Sequence, residues 1–333
     1  MVADRRLAMA GIAAAGAGLL LAPVFMRRDP SRAPWPTERA IRLVVPFAAG
    51  GPTDMIARMV AEAIAAGTGA RVYVESRPGA GGNIAFTQVA QSEPDGYTLL
   101  VSSNALLLNP WLYDTIGYDP LRDFDPVVGM LSAPNVFFAS PASGLKSIPQ
   151  LVAAARSYPD QLNYASPGMG TTPQLAAELL KVREKISVAH VVFGGSAPAS
   201  QAVMAGDVQA GCVALPGAHA HIQAGKLVGL ALTGEARWHE LPDMPTMVGL
   251  GYDGFVLDTA FNLMAPAGLS PRITATLAKI VIGALGEPGY ERRLRRAGFQ
   301  ILARGPADLK ARIAAELPMW QDIVAQAGLR PRS

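Results

Sequence analysis

Past an apolar opening segment, the chain alternates short runs of β-branched and aliphatic residues with longer segments of helical period. Ile41-Arg-Leu-Val-Val-Pro46 has the composition of a buried strand. After it, Ile56, Met59, Val60, Ala63 and Ile64 recur at spacings that set them along one helical face. Pro52 suits the first turn of that helix, where a missing N–H costs nothing, and Gly67 and Gly69 stop it. The same rhythm predicts strands over residues 71–75, 97–102, 136–139, 162–165, 188–193, 208–214 and 227–232. Helices are predicted between them over 83–91, 148–157, 173–182, 198–205 and 217–224. The tail changes character, with helices predicted over 271–285, 288–296 and 306–327, the last kinked at Pro318. Alternation of this kind specifies an α/β fold with mainly parallel sheets.

Charge sets the opening segment apart as well. Arg5, Arg6, Arg27 and Arg28 against Asp4 give residues 1–28 a net +3, the net charge of all 333 residues, so the remainder is balanced. A domain without basic excess offers no electrostatic footprint for nucleic acid. A charged start and an apolar run from Leu7 to about Ala22 make the pattern of a secretory leader. The alternative, a retained N-terminal anchor, needs about 20 apolar residues. Either way the folded part is expected outside the cytoplasm, in the periplasm. Arg32-Ala-Pro-Trp-Pro36 reads as a short extended linker. A chain of this length exceeds one comfortable core, so two lobes are expected after the leader. Cys212 is the only cysteine, which excludes an intrachain disulfide and a cysteine-based metal site.

Three Gly-rich loops follow strand candidates: Pro46-Phe-Ala-Ala-Gly-Gly-Pro-Thr-Asp54, Arg77-Pro-Gly-Ala-Gly-Gly-Asn83 and Ser166-Pro-Gly-Met-Gly-Thr-Thr172. In open α/β sheets ligands bind beyond the carboxyl ends of strands, where helix N-termini offer free N–H groups and a positive dipole end. Such loops can hold an anion without lysine or arginine. Nucleotide motifs fail: Ile84 stands where a dinucleotide fingerprint wants glycine, and no Walker lysine follows any loop. Gly194-Gly-Ser-Ala-Pro198 ends in proline, not the glycine of a nucleophile elbow. His219 and His221 are two apart, a poor spacing for metal, and with His190 and His239 read as exposed or hydrogen-bonded residues. Cys212 reads as core, Asp119, Asp123 and Asp125 as turn formers beside prolines, and Arg292, Arg293, Arg295 and Arg296 as a solvated helix face.

Together these loops resemble the Bug-type receptors of tripartite tricarboxylate transporters, over about residues 35–329. The resemblance is carried by Ile41 through Asp54, by Arg77 through Asn83, and by Pro94-Asp-Gly-Tyr-Thr-Leu99 with Tyr118-Asp-Pro and Asp123-Phe. Leu241-Pro-Asp-Met-Pro-Thr246 and Ala265-Pro-Ala-Gly-Leu-Ser-Pro271 extend it. It implies a two-lobed type II periplasmic-binding-protein fold, a Venus flytrap with a discontinuous first lobe: residues 34–137 plus 258–333, and a second lobe of 138–257. The crossings are expected near 136–140 and 255–259. It further implies an extracytoplasmic receptor, monomeric and without cofactor or metal, that binds a small organic carboxylate and delivers it to a membrane permease. A sensor kinase ectodomain is the alternative partner, and a hydrolytic enzyme on an α/β scaffold the alternative class.

Carried over residue by residue, the binding site comprises Phe47, Ala48, Gly51, Thr53 and Asp54 on the first loop, and Ser102, Ser103 and Asn104 after the next strand. Its second-lobe members are Ser166, Gly168, Gly170, Thr171, Thr172, Gln174, Gly195 and Ser196. Gln174 stands where the resemblance implies His, and Phe193-Gly194-Gly195 replaces Tyr-Lys-Gly. Ala202 replaces Asp, and Ala260 and Asn262 replace Trp and Gly. These departures are expected to remove charge and bulk from the far end of the pocket, leaving the carboxylate anchor in place.

Overall fold

The computed structural model describes residues 35–329; the leader at 1–28 and the start of the linker lie outside them. The first half of the chain forms β1 (Ile41–Val45), α1 (Pro52–Thr68), β2 (Val72–Ser76), α2 (Asn83–Ala90), β3 (Thr98–Ser103), α3 (Ala105–Leu108) and β4 (Phe124–Ala139). A second series follows: α4 (Ile148–Ser157), β5 (Asn163–Ser166), α5 (Thr172–Glu184), β6 (Ala189–Val192), α6 (Ser196–Ala205), β7 (Ala210–Ala214), α7 (His219–Gln223) and β8 (Val228–Leu232). The chain then closes with β9 (Asp258–Pro266), α8 (Pro271–Leu285), α9 (Pro288–Ala297), β10 (Gln300–Arg304) and α10 (Pro306–Gln326). Local chemistry explains the helix limits. Pro52 opens α1, and Gly69 closes it in the left-handed region at φ 72°. Gly67 lies inside the last turn of α1 rather than ending it. Ser147 caps α4 by accepting from Gln150 N–H. α10 carries Pro318 within it and continues to Gln326.

Two sheets with the same plan are built from these elements. The first orders its strands β2-β1-β3-β9-β4-β10, the second β6-β5-β7-β4-β8. In each, three parallel strands are followed by one antiparallel strand, β9 in the first sheet and β4 in the second. This repeated order with an exchanged strand is the two-lobed architecture the resemblance implies. The pairing of β1 with β2 and β3 buries Ile41, Leu43 and Val45 against Ile56, Val60 and Ile64 of α1 and Leu277 and Val281 of α8. In the second sheet Phe137, Tyr164 and Cys212 pack with Leu151 of α4 and Leu175 and Leu180 of α5.

β4 belongs to both sheets. It pairs with β9 from Phe124 to Pro134, and with β7 and β8 from Asn135 or Val136 onward. It therefore starts at Phe124, not at residue 136 as expected. Its early part contains Pro126, Gly129 and Pro134, with register shifts at the first two, and these residues hide a strand in the sequence. β9 and β10 are further strands that the periodicity did not predict. Where β4 changes sheets, Asn135 Nδ2 donates to Leu257 O at 2.6 Å and Asn135 N–H to Thr233 Oγ1 at 2.8 Å. Thr233 Oγ1 donates to the same carbonyl. These buried bonds tie the start of β4's second half to the return segment before β9.

Asp258 opens β9 between Glu235, which follows β8, and Arg312 of α10. Burial pushes its carboxyl up to about 6, Arg312 acting against the shift and Glu235 adding to it. The folded value lies above the unfolded one of about 3.9, so the folded state favours the protonated acid. The resulting penalty on the ionised form is complete above about pH 6 and fades as pH falls toward 4. Asp258→Asn is expected to stabilise the protein by about 1–2 kcal/mol at pH 8, and to flatten stability between pH 4 and 7. Urea unfolding across that range checks it; parallel pH profiles for the two proteins would contradict the assignment.

Candidate functional site

Three strand-to-helix turns meet between the two sheets: β1 to α1, β5 to α5, and β6 to α6. All lie beyond the carboxyl ends of parallel strands, where the fold leaves helix N-termini facing a crevice. They enclose a cavity of about 420 Å³, its mouth included. The turns also touch one another. Ala48 N–H donates to Gly194 O at 2.7 Å across the crevice, and a Cβ on Gly195 would stand 3.1 Å from Ala48 N.

Eight of the expected site residues line this cavity: Phe47, Ala48, Gly51 and Thr53 from the first turn, Ser103 from the end of β3, and Thr171, Thr172 and Ser196 from α5 and α6. The other eight stand behind the wall. Asp54 Oδ2 accepts from Gly50 N–H and from Arg58 Nε, both at 3.0 Å, which turns its charge back into the loop it braces. Ser102 Oγ donates to Asn262 O, and the Asn104 side chain accepts from Ala260 N–H. Ser166 Oγ meets His190 Nε2 at 2.7 Å and both the N–H and the carbonyl of Gly168. Gly170 N–H donates to Gln174 Oε1 at 2.7 Å, while Gly195 packs beneath Ala48.

Sequence reasoning missed Pro52, Pro167, Pro173, Ala214, Thr259 and Phe261 on the wall. Thr259 and Phe261 share one face of β9, and their alternation in Asp-Thr-Ala-Phe-Asn was the signal available. None of the departures at Gln174, Gly194, Ala202, Ala260 and Asn262 lines the cavity. Gln174 is a buried brace for the Gly170 turn, and Asn262 is buried with its Oδ1 lacking a protein partner. The expected change at the far end of the pocket therefore has no direct wall contact to act through.

The wall carries no ionisable side chain. Its polarity comes from hydroxyls and from the ends of α1, α5 and α6, none of which has a side-chain cap. An uncapped helix leaves first-turn N–H groups unsatisfied and concentrates roughly half a positive charge there. α1 and α6 begin against each other: a Cβ on Gly51 would lie 3.8 Å from Ser196 N and 3.9 Å from Ala197 N. Phe47, Phe261, Ala214 and three prolines supply the rest of the surface. This arrangement can hold a small anion with an apolar body.

Other groups singled out in the sequence have structural roles. Cys212 is fully buried in β7, where burial pushes its thiol up. His219 is buried, and burial holds its imidazole below the ordinary value, with Glu240 opposing at 3.6 Å. Asp119 accepts from Leu121 and Arg122 N–H in a turn, and Asp125 from Gly268 and Leu269 N–H. Among the described residues no group of three or more His, Cys, Asp or Glu side chains could hold a metal ion, and no helix is long and apolar enough to cross a membrane.

The family described as tripartite tricarboxylate transporter family receptor matches residues 56–329. The chain is 33% identical to protein BugT of Bordetella pertussis over 328 residues, 98% of each chain. A Rhodopseudomonas palustris protein solved with adipate superposes with a TM-score of 0.86 at 32% identity, covering 90% of this chain and all of that one. MatC from the same organism, solved with bound malate, gives 0.81 at 31% identity, covering 86% and 99%.

Gly195→Val places bulk against Ala48 and should hold the two lobes apart. Small-angle X-ray scattering is expected to give a larger radius of gyration than for the wild type. Identical profiles would mean that these turns do not touch in solution.

Proposed function

Because the chain belongs to the tripartite tricarboxylate transporter receptor family, we propose that it is a periplasmic solute receptor that captures a small organic carboxylate between its lobes. Delivery to a tripartite tricarboxylate-type permease completes the reading. One observation carries it: three uncapped helix N-termini converge on a cavity whose wall holds no charged side chain. The adipate- and malate-bound neighbours support the same ligand class.

The proposed lobes divide near residues 137 and 258, and the change of sheet by β4 at Asn135 and the start of β9 at Asp258 support boundaries there. A ligand bridging Thr53 and Ser196 would contact both lobes, so it favours the closed arrangement by its differential affinity. A carboxylate there accepts charge-assisted hydrogen bonds from backbone N–H groups and hydroxyls. Each is worth about 1.5–3 kcal/mol, and three or four support roughly micromolar binding once ordering costs are met. The basic side chain that often receives a carboxylate is unnecessary, because the backbone ends are fixed by the sheets before the ligand arrives.

Thermal melting against mono-, di- and hydroxycarboxylates, each with its ester or amide, tests the reading. An acid at about 100 times its Kd adds about 2.7 kcal/mol and is expected to raise Tm by several degrees, while its ester does not. A cooperative melt that no acid shifts would overturn the assignment.

A further inference from the structure

The hydroxyls around the cavity do not all have a proton to give, and the division follows from hydrogen bonds behind the wall. A hydroxyl carries one proton and two lone pairs, so a proton committed to one partner leaves only acceptors for the next. Asn135 Nδ2 donates to Leu257 O, which orients the amide with Oδ1 toward Thr259. Thr259 Oγ1 donates to that oxygen at 2.7 Å, so its proton is taken. Thr172 Oγ1 lies 2.5 Å from Thr259 Oγ1 and must be the donor of that pair. Thr171 Oγ1 donates to Gly168 O at 2.8 Å. These three wall residues therefore present lone pairs alone.

Ser103 Oγ only accepts, from Ala105 N–H, and keeps its proton; among the described residues the hydroxyls of Thr53 and Ser196 are engaged by no other group, so these two can donate as well. They sit at the junction of α1 and α6, where two uncapped helix ends add backbone donors. That junction suits a carboxylate. The threonine cluster does not, because a carboxylate can only accept. α5 begins in the same cluster with its own first turn uncapped by any side chain, so both lone pairs and N–H groups are on offer there. The ligand group that matches both is a hydroxyl, which donates one proton and accepts in return. An ammonium would only donate, and no carboxylate on the wall would balance its charge.

Resting on the carboxylate-receptor reading above, we infer that the ligand is a hydroxy acid, with its carboxylate at the α1–α6 junction and its hydroxyl on the Thr172–Thr259 pair. The inference assigns Thr172 and Thr259 the role of distinguishing a hydroxy acid from its deoxy counterpart. Asn135 is a positioning residue, since it decides which way the hydroxyl protons point.

Calorimetric titration with matched acids tests this: lactate against propionate, 3-hydroxybutyrate against butyrate, and malate against succinate. At least one hydroxy acid is expected to bind about tenfold more tightly than its deoxy partner. Thr172→Val should bring that ratio to about one, and Thr172→Ser, which keeps the hydroxyl, should preserve it. Thr259→Val serves in its place should Thr172→Val not melt cooperatively. Equal affinities for both members of every pair, or a ratio that survives both valine variants, would overturn the inference and leave the carboxylate reading standing. Failure of every acid to bind would overturn both.

Discussion

The antiparallel pairing of β4 with β9 is the contact on which the rest of the structure depends. β4 runs from the first sheet into the second, where it is the one strand set against the others, while β9 lies against β3 and β4 in the first sheet, in which β10 is also antiparallel. Parallel strands need crossover helices, so every strand-to-helix turn of a lobe falls at the same edge of its sheet. β4, shared by both sheets, then sets those two edges face to face. The crevice, the three helix ends that open into it and the contact between Ala48 and Gly194 all follow from that arrangement.

The same strands join mechanics to recognition. Asn135 lies where β4 changes sheets and makes three hydrogen bonds, to Thr233, Leu257 and Thr259. Thr259 in turn meets Thr172 at the start of α5. A buried polar group stays favourable only when its partners are all present, which makes this chain of bonds specific as well as cohesive. It passes from the point where β4 changes sheets to the wall of the cavity without a gap. The residues that allow the lobes to be one molecule therefore also fix the hydrogen-bonding character of the wall.

The cavity wall carries no ionisable side chain, so the proposed recognition of charge falls to the backbone. A lysine or arginine in a cleft this small would itself need desolvating, and would lose rotamer freedom on binding. Helix ends held by packed sheets lose nothing comparable. Asp54 shows the cost of the alternative sign: its carboxylate lies in the first turn of α1, close to the crevice, and is bound back by Gly50 and Arg58. Its charge braces the turn and does not line the cavity.

Much of this was legible in the sequence, because much of it is local. Helix starts, Gly-rich turns and aliphatic runs carry their own period and their own caps, so α1, α4 and α8 and the strands β1 to β3 and β5 to β8 could be read from local order. The loops that bear Phe47, Thr53, Thr171 and Ser196 followed, since a turn after a parallel strand has one place to go. β9 and the first half of β4 were hidden: prolines, glycine and buried polar residues break their apolar pattern, and long-range pairing alone makes them strands. Tertiary structure also decided which loop residues face the cavity and which brace it. Gln174, Asn104 and Ser166 lie at the expected strand and helix ends, yet each spends its hydrogen bonds on other residues of the fold. The sequence determined which turns would carry donors. Only the folded chain, by committing the protons of Thr172 and Thr259 through Asn135, decided what those hydroxyls can offer, because a hydrogen bond between residues 135 and 259 leaves no trace in local order.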